Sequence, residues 1–234
     1  MGLTRERERQ LKTFAHEVRK QIIETLFTVQ TGHPGGSLSC VEILSILFAE
    51  KMHFDPKNPS DPDRDRLVLS KGHACPTLYA ILAKVGFFAE EELRTFRQLG
   101  TRLQGHPDMT ALAGVDMSSG PLGLGLSAGL GIALAARLDE RPYHTYVLLG
   151  DGELQEGIVW EAAMSAGKYK ADNLIAIVDL NGVQLDGTTS EIMPMPNVEA
   201  MFRSCGWHTI VTDGHDFVAL SSAIDRAREH EGSP

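Results

Sequence analysis

Two short runs offer oxygen ligands where a phosphate-bearing molecule could be held: Gly150-Asp151-Gly152 and Asn181-Gly182. The first follows the apolar run 145–149 (TYVLL), which reads as a buried strand. A carboxylate between two glycines then sits at the open end of that strand. The glycines let the chain turn and let N–H groups face an anion at the start of the next helix. Asp151 would repel that anion unless a cation lay between them, so the simplest arrangement is Asp151–metal–phosphate. A hard cation such as Mg²⁺ takes about six oxygens, shared among carboxylate, phosphates and water. Ca²⁺ or Mn²⁺ would accept the same cage. Asn181, ending the next apolar run (174–178, LIAIV), adds a neutral amide oxygen, and the Val183 carbonyl is a further candidate. Singly, Asp-Gly and Asn-Gly are ordinary turn residues. At two consecutive strand ends they point together to a metal–diphosphate site.

Histidine supplies the second pattern. His33, His73, His106 and His215 each follow a glycine, and two continue into proline as Gly32-His33-Pro34 and Gly105-His106-Pro107. Such flanks put the imidazole on a stiff loop. The spacings are too long for a local zinc motif. A pocket assembled from several loops fits better, with imidazoles donating to phosphate oxygens and moving protons near neutrality. His215, in a polar Asp-Gly-His-Asp turn, reads instead as a surface or capping histidine.

The run Gly120-Pro121-Leu122-Gly123-Leu124-Gly125, continuing to Gly129 and Gly131, resembles a loosened dinucleotide fingerprint. Yet residues 113–119 (AGVDMSS) are poor strand formers, and no acidic strand end follows to hold a ribose. The better reading is a closely packed Gly/Ala helix over 120–138 whose first turn touches a ligand.

These residues need a frame. Leu11, Ala15, Val18, Ile22, Leu26 and Val29 recur at helical spacing, which predicts an amphipathic helix over about 5–30. Gly32–Gly36 should not continue that helix. Ser39 with Glu42 reads as a capping box before Ile43, Leu44, Ile46, Leu47 and Phe48. Residues 55–63 form a Pro/Asp/Asn loop, and 67–69 a short buried strand. From residue 145 strand and helix alternate: strands at 145–149, 174–178 and 207–211, and helices ending near 169 and spanning 197–204 and 217–229. That order predicts an α/β fold: a doubly wound parallel sheet with helices on both faces and its ligands beyond the carboxyl ends of the strands.

Composition narrows the function. In 234 residues, 42% are hydrophobic and 23% charged, so one domain with a real core is expected. Lys plus Arg total 22 against 31 Asp plus Glu, a net charge of -9. That excludes a general nucleic-acid binder, which needs a basic face. Cys40, Cys75 and Cys205 form no CxxC pair, so neither a disulfide framework nor a zinc ribbon is expected, and a reducing compartment, the cytoplasm, fits. The opening MGLTRERERQLKTF lacks a signal-peptide core. The uncharged stretch 117–136 is long enough for a membrane span. Its Ser118, Ser119, Pro121 and several glycines favour a buried helix, so no membrane is expected.

Taken in order, GHPGGSLS (32–39), SKGHA (70–74), GHPD (105–108), GPLG (120–123), GDGELQEG (150–157) and DLNGVQLDG (179–187) resemble the N-terminal, thiamine diphosphate-binding domain of transketolase. The similarity runs from about residue 10 to the end and includes CGWHTIVTDGHD (205–216). The resemblance implies that Asp151, the Asn181 side chain and the Val183 carbonyl bind the divalent metal. It places Gly152, Gly120, Pro121, Leu122, Asn181 and His73 around the cofactor, and His33 and His106 toward the sugar. It puts Glu156 at a subunit interface, facing the glutamate that activates the aminopyrimidine ring. The implied reaction moves a two-carbon ketol unit from a ketose phosphate to an aldose (phosphate), with the coenzyme carrying the carbanion chemistry.

The family's pyrimidine-binding domain has no counterpart here. The match is therefore to the N-terminal subunit of a split transketolase: residues 1–234 as one diphosphate-binding domain that lacks the family's last strand. A second chain, the C-terminal subunit, would bring the pyrimidine-binding domain, in a hetero-oligomer with two copies of each. Two other readings keep the scaffold. One is half of another thiamine diphosphate enzyme, such as a 1-deoxyxylulose-5-phosphate synthase-like half or a 2-oxo-acid dehydrogenase alpha subunit. The other is a non-catalytic binding subunit.

Overall fold

Leu11, Ala15, Val18 and Ile22 make the buried stripe of α1 (Arg5–Val29). The structure, a computed structural model, describes residues 2–234. Thr4 caps α1 by accepting the Arg7 N–H, and Gln30 ends it in the left-handed region at φ 55°. The Gly-His-Pro run does not continue α1, as expected. It does not stay irregular either. It starts a new short helix, α2 (Pro34–Leu38), with His33 at its N-cap. Proline's fixed φ and missing N–H suit a first helical position.

The expected capping box at Ser39 and Glu42 does not form. Cys40 is the cap residue of α3 (Val41–Ile46), and no side chain caps it. Ser39 is drawn away because its hydroxyl donates to Asp179 Oδ2 at 2.5 Å. Glu42 turns to Arg19, at 2.5 Å, and to His215 Nδ1, at 2.9 Å. A π-helical turn, Leu47–Lys51, prolongs α3.

In chain order the remaining elements are β1 (Arg66–Leu69), α4 (Cys75–Lys84), α5 (Leu124–Leu138), β2 (Thr145–Gly150), α6 (Gly157–Tyr169) and β3 (Leu174–Asp179). A two-strand hairpin, β4 (Val183–Gln184) and β5 (Gly187–Thr188), precedes α7 (Thr189–Ile192), α8 (Val198–Ser204) and α9 (Phe217–Glu229). Strands β1, β2 and β3 form one parallel sheet in that order, with Leu69 level with Leu148 and Gly150 level with Asp179. Alternation along each strand divides the core. Leu67, Leu69, Tyr146, Leu148 and Ile175 pack with α1, α3, α4 and α9 on one face. Val68, Val147, Leu149 and Leu174 pack with α5, α6 and α8 on the other. Helices on both faces of a parallel sheet are what the strand–helix alternation requires.

Helix α5 begins at Leu124 rather than at residue 120. Residues 120–123 form its entry loop, with Gly123 at φ 87°. Two of its glycines serve close packing: a Cβ on Gly125 would lie 2.3 Å from Ser70 Cβ, and one on Gly129 would lie 2.3 Å from Val147 Cγ2. Among the described residues no helix is long and apolar enough to cross a membrane. The three cysteines are free, with Cys40 and Cys75 buried.

The strand expected at 207–211 is absent. This segment and β3 both line a cleft of about 630 Å³, together with Leu220, Ala223 and Ile224 of α9. An extended segment becomes a strand only when another backbone pairs with it, and among the described residues none pairs with this one. The His208 N–H bonds instead to the Pro234 carbonyl at 2.9 Å.

Candidate cofactor and substrate site

The ends of β2 and β3 lie side by side. Gly150 pairs with Asp179 in the ladder, and the Asp151 N–H donates to the Asp179 carbonyl at 3.2 Å. Asp151 is 7% exposed. Its Oδ1 accepts the Gly152 N–H and its Oδ2 accepts the Gly182 N–H, each at 2.8 Å. Both strand ends thus hold one carboxylate in place. Asn181 is exposed next to it. Its Oδ1 accepts the Val183 N–H at 2.9 Å, and its amide reaches Ser39 Oγ at 3.4 Å. Among the described residues no group of three or more His, Cys, Asp or Glu could hold a metal ion. The chain itself thus offers one carboxylate and neutral oxygens, a donor set that suits a hard cation whose remaining ligands come from phosphate and water. The residues fit a metal shared with a diphosphate, not a cage made of protein alone.

Gly152 follows in the turn that precedes α6. A Cβ there would come within 3.0 Å of Gln184 Cγ. The Gln155 and Gln184 side chains exchange two amide bonds, at 2.6 and 2.8 Å, which tie this turn to the β4–β5 hairpin. In sequence these two glutamines carry no signal, because an amide pair between separate loops has no spacing rule.

The three Gly-His loops converge. His33 and His73 stand edge to face with ring centroids 5.4 Å apart. A Cβ on Gly72 would lie 3.2 Å from the His106 ring and 3.3 Å from the Gly120 nitrogen, so glycine is what allows these loops to meet. A Cβ on Gly120 would lie 3.8 Å from His106 Cγ. Pro121 and Leu122 are exposed on the same loop. Glu156 is exposed at the N-cap of α6, and Gly123 packs against it: a Cβ there would lie 2.7 Å from Glu156 Cβ. His215 stays outside this group, hydrogen-bonded to Glu42.

Burial, then Lys71, His33 and His106, push the His73 imidazole down to about 4. Burial and the Arg97 guanidinium also lower His33 and His106. All three rings are therefore neutral at pH 7. Nothing in the sequence singles out Arg97, which takes φ 59° and donates to Thr31 Oγ1 at 2.8 Å. The low His73 value also ties stability to pH. The unfolded chain protonates His73 below about pH 6.5 while the folded chain resists until about pH 4, so stability present above pH 6.5 is lost as pH falls through that window. Partial exposure limits the loss to roughly 1–2 kcal/mol. Urea unfolding at a series of pH values should show it, and His73→Asn should flatten the slope.

Beneath the site lies an ion pair that no local sequence pattern marks. Lys71 is 1% exposed, and its Nζ lies 2.6 Å from Asp179 Oδ2 and 3.4 Å from Ser39 Oγ. Burial opposes the charged ammonium, but Cys40, Asp179 and Asp151 outweigh it and hold Lys71 above an ordinary lysine. Lysine is rarely buried unless paired. Its partner here is 108 residues away, beyond any local pattern.

Residues 11–234 match the family model of the transketolase thiamine diphosphate binding domain. The chain is 45% identical to the 6-deoxy-6-sulfo-D-fructose transketolase subunit of Clostridium sp. strain MSTE9, over 98% of this chain and 83% of that protein. It is 41% identical to one subunit of the apulose-4-phosphate transketolase of Phocaeicola vulgatus, over 88% of this chain and 74% of that one. A crystal structure of Pichia stipitis transketolase superposes with a TM-score of 0.91 at 38% identity, covering 96% of this chain and 35% of that one. This chain thus spans about a third of that full-length transketolase. On these similarities the chain belongs to the transketolase family, as its thiamine diphosphate binding domain.

Proposed function

We propose that this chain is the N-terminal subunit of a two-chain transketolase, which moves a two-carbon ketol unit from a ketose phosphate to an aldose or aldose phosphate. The observation that carries this reading is the meeting of Asp151 and Asn181, on adjacent strand ends, with the loops of His33, His73 and His106. Asp151, the Asn181 side chain and the Val183 carbonyl would hold Mg²⁺, or Ca²⁺ or Mn²⁺, against the diphosphate. Gly152, Gly120, Pro121, Leu122 and His73 would line the coenzyme. Bound there, thiamine diphosphate supplies the carbon nucleophile and electron sink needed to break and remake a C–C bond. His33 and His106 do the rest of this chain's work. As neutral imidazoles they can each donate one N–H to a sugar oxygen and take up a proton on the other nitrogen.

Two relatives are named as subunits, which supports a partner chain. That partner, a C-terminal subunit with the pyrimidine-binding domain, would meet the exposed Glu156, in an assembly with two copies of each chain. A sugar-phosphate enzyme of this kind belongs in the cytoplasm, within carbohydrate metabolism. The test mixes the chain, the partner subunit, thiamine diphosphate, Mg²⁺ and a ketose phosphate. Ketol transfer that needs both chains supports the reading. Full activity of this chain alone, or activity confined to pyruvate-type donors with release of CO₂, overturns it.

A further inference from the structure

Glu153 directly follows the Gly150-Asp151-Gly152 turn. It is 2% exposed. A short 3₁₀ turn, Gly152–Gln155, rolls it inward instead of out. Its Oε1 accepts the Gly123 N–H at 2.7 Å and the Ser70 hydroxyl. Its Oε2 accepts the Gly150 N–H at 3.0 Å. These three donors belong to three segments. Ser70 leads into Lys71-Gly72-His73, Gly123 closes the loop of Gly120, Pro121 and Leu122, and Gly150 opens onto Asp151 and Gly152. Each segment carries residues that the proposed function puts around the coenzyme.

We propose that Glu153 is a positioning residue: one buried carboxylate sets the spacing of three coenzyme-binding loops before the coenzyme arrives. The inference rests on the coenzyme assignment made above. Bulk packing does not account for it, since burying a carboxylate is costly and an apolar side chain would fill the space at less expense. Among the described residues Glu153 has no salt-bridge partner; its hydrogen bonds come from two backbone N–H groups and one hydroxyl. Neutral donors leave the anion less compensated than a cation would, yet they fix its geometry. Only a carboxylate can accept on both oxygens at once. An amide at this position would turn an NH₂ toward at least one of the donors.

The test compares wild type with Glu153→Gln, each with the partner subunit. Three quantities are read: amide hydrogen exchange at Gly123 and Gly150 without coenzyme, calorimetric affinity for thiamine diphosphate with Mg²⁺, and the KM for the sugar donor at saturating coenzyme. Glu153→Gln should speed exchange at Gly123 or Gly150 at least about tenfold and weaken coenzyme binding by about 10–100-fold, as loss of an outer support does at other sites. The sugar KM should stay within about twofold of wild type, since a positioning role acts on coenzyme binding before it reaches the sugar. A folded variant with unchanged coenzyme affinity, or one whose sugar KM rises in step, overturns the proposal. If Glu153→Gln does not fold, Ser70→Ala decides, because it removes one bond and keeps the carboxylate. A few-fold weaker coenzyme affinity with unchanged sugar KM upholds the role, and wild-type affinity overturns it. If the wild-type complex itself binds no coenzyme, the coenzyme assignment falls, and this inference with it. Binding by wild type that Glu153→Gln leaves intact removes only Glu153.

Discussion

Replacing Asp151 with alanine should abolish Mg²⁺-dependent binding of thiamine diphosphate, weakening it by well over about a hundredfold. That is more than the 10–100-fold typical of outer-sphere losses at metal sites. The expectation has two parts. Of the two acids at the strand ends, Asp179 is paired with Lys71, so loss of Asp151 would leave the proposed metal only neutral oxygens from the chain. Its two oxygens also hold the Gly152 and Gly182 N–H groups, so the turn after β2 and the loop after β3 both loosen. Asp151→Asn separates the parts. It keeps one acceptor oxygen and loses the charge, so it should bind better than Asp151→Ala and far worse than wild type. Titration calorimetry on the two-chain complex checks both variants. Wild-type affinity in Asp151→Ala would dismiss the metal site and leave a scaffold that does not use it.

Breaking the buried pair should produce the largest loss of stability. Lys71→Met strands the Asp179 carboxylate among Ser39, Cys40 and the core. Removing one partner of a buried pair costs about 3–5 kcal/mol, because the remaining charge goes uncompensated. For a chain of this length that is a drop of roughly 6–20 °C in Tm. Pairing Lys71→Met with Asp179→Asn removes both charges and should recover most of the deficit. Urea or thermal unfolding of the three proteins measures it. A single variant within about 1 kcal/mol of wild type would show that the pair is dispensable. Function should suffer as well, since Lys71 precedes Gly72-His73 and Asp179 lies two residues before Asn181.

Much of the site can be read from the sequence because it uses residues with strong local rules. Glycine followed by histidine and proline does not sit inside a helix, so the loops of His33 and His106 are marked by their flanks alone. Apolar runs that stop at Asp-Gly or Asn-Gly mark strand ends, and parallel pairing then brings those ends together. What stays hidden depends on partners distant in sequence. Glu153 is one case, because nothing local says that a 3₁₀ turn will roll it inward. Lys71 and Asp179 give no sign of each other. The Ser39 capping box fails because Asp179 offers its hydroxyl a charged acceptor, which a local motif cannot anticipate. The segment 207–211 has the composition of a strand, but strand formation belongs to a pair of backbones, and among the described residues it has no such partner.

That same cleft runs beside one margin of the sheet. On its outer side β3 carries an unmatched row of peptide donors and acceptors above a greasy floor, the kind of margin natural sheets usually blunt with charge or proline. Such a margin is a ready template along which another extended backbone can pair.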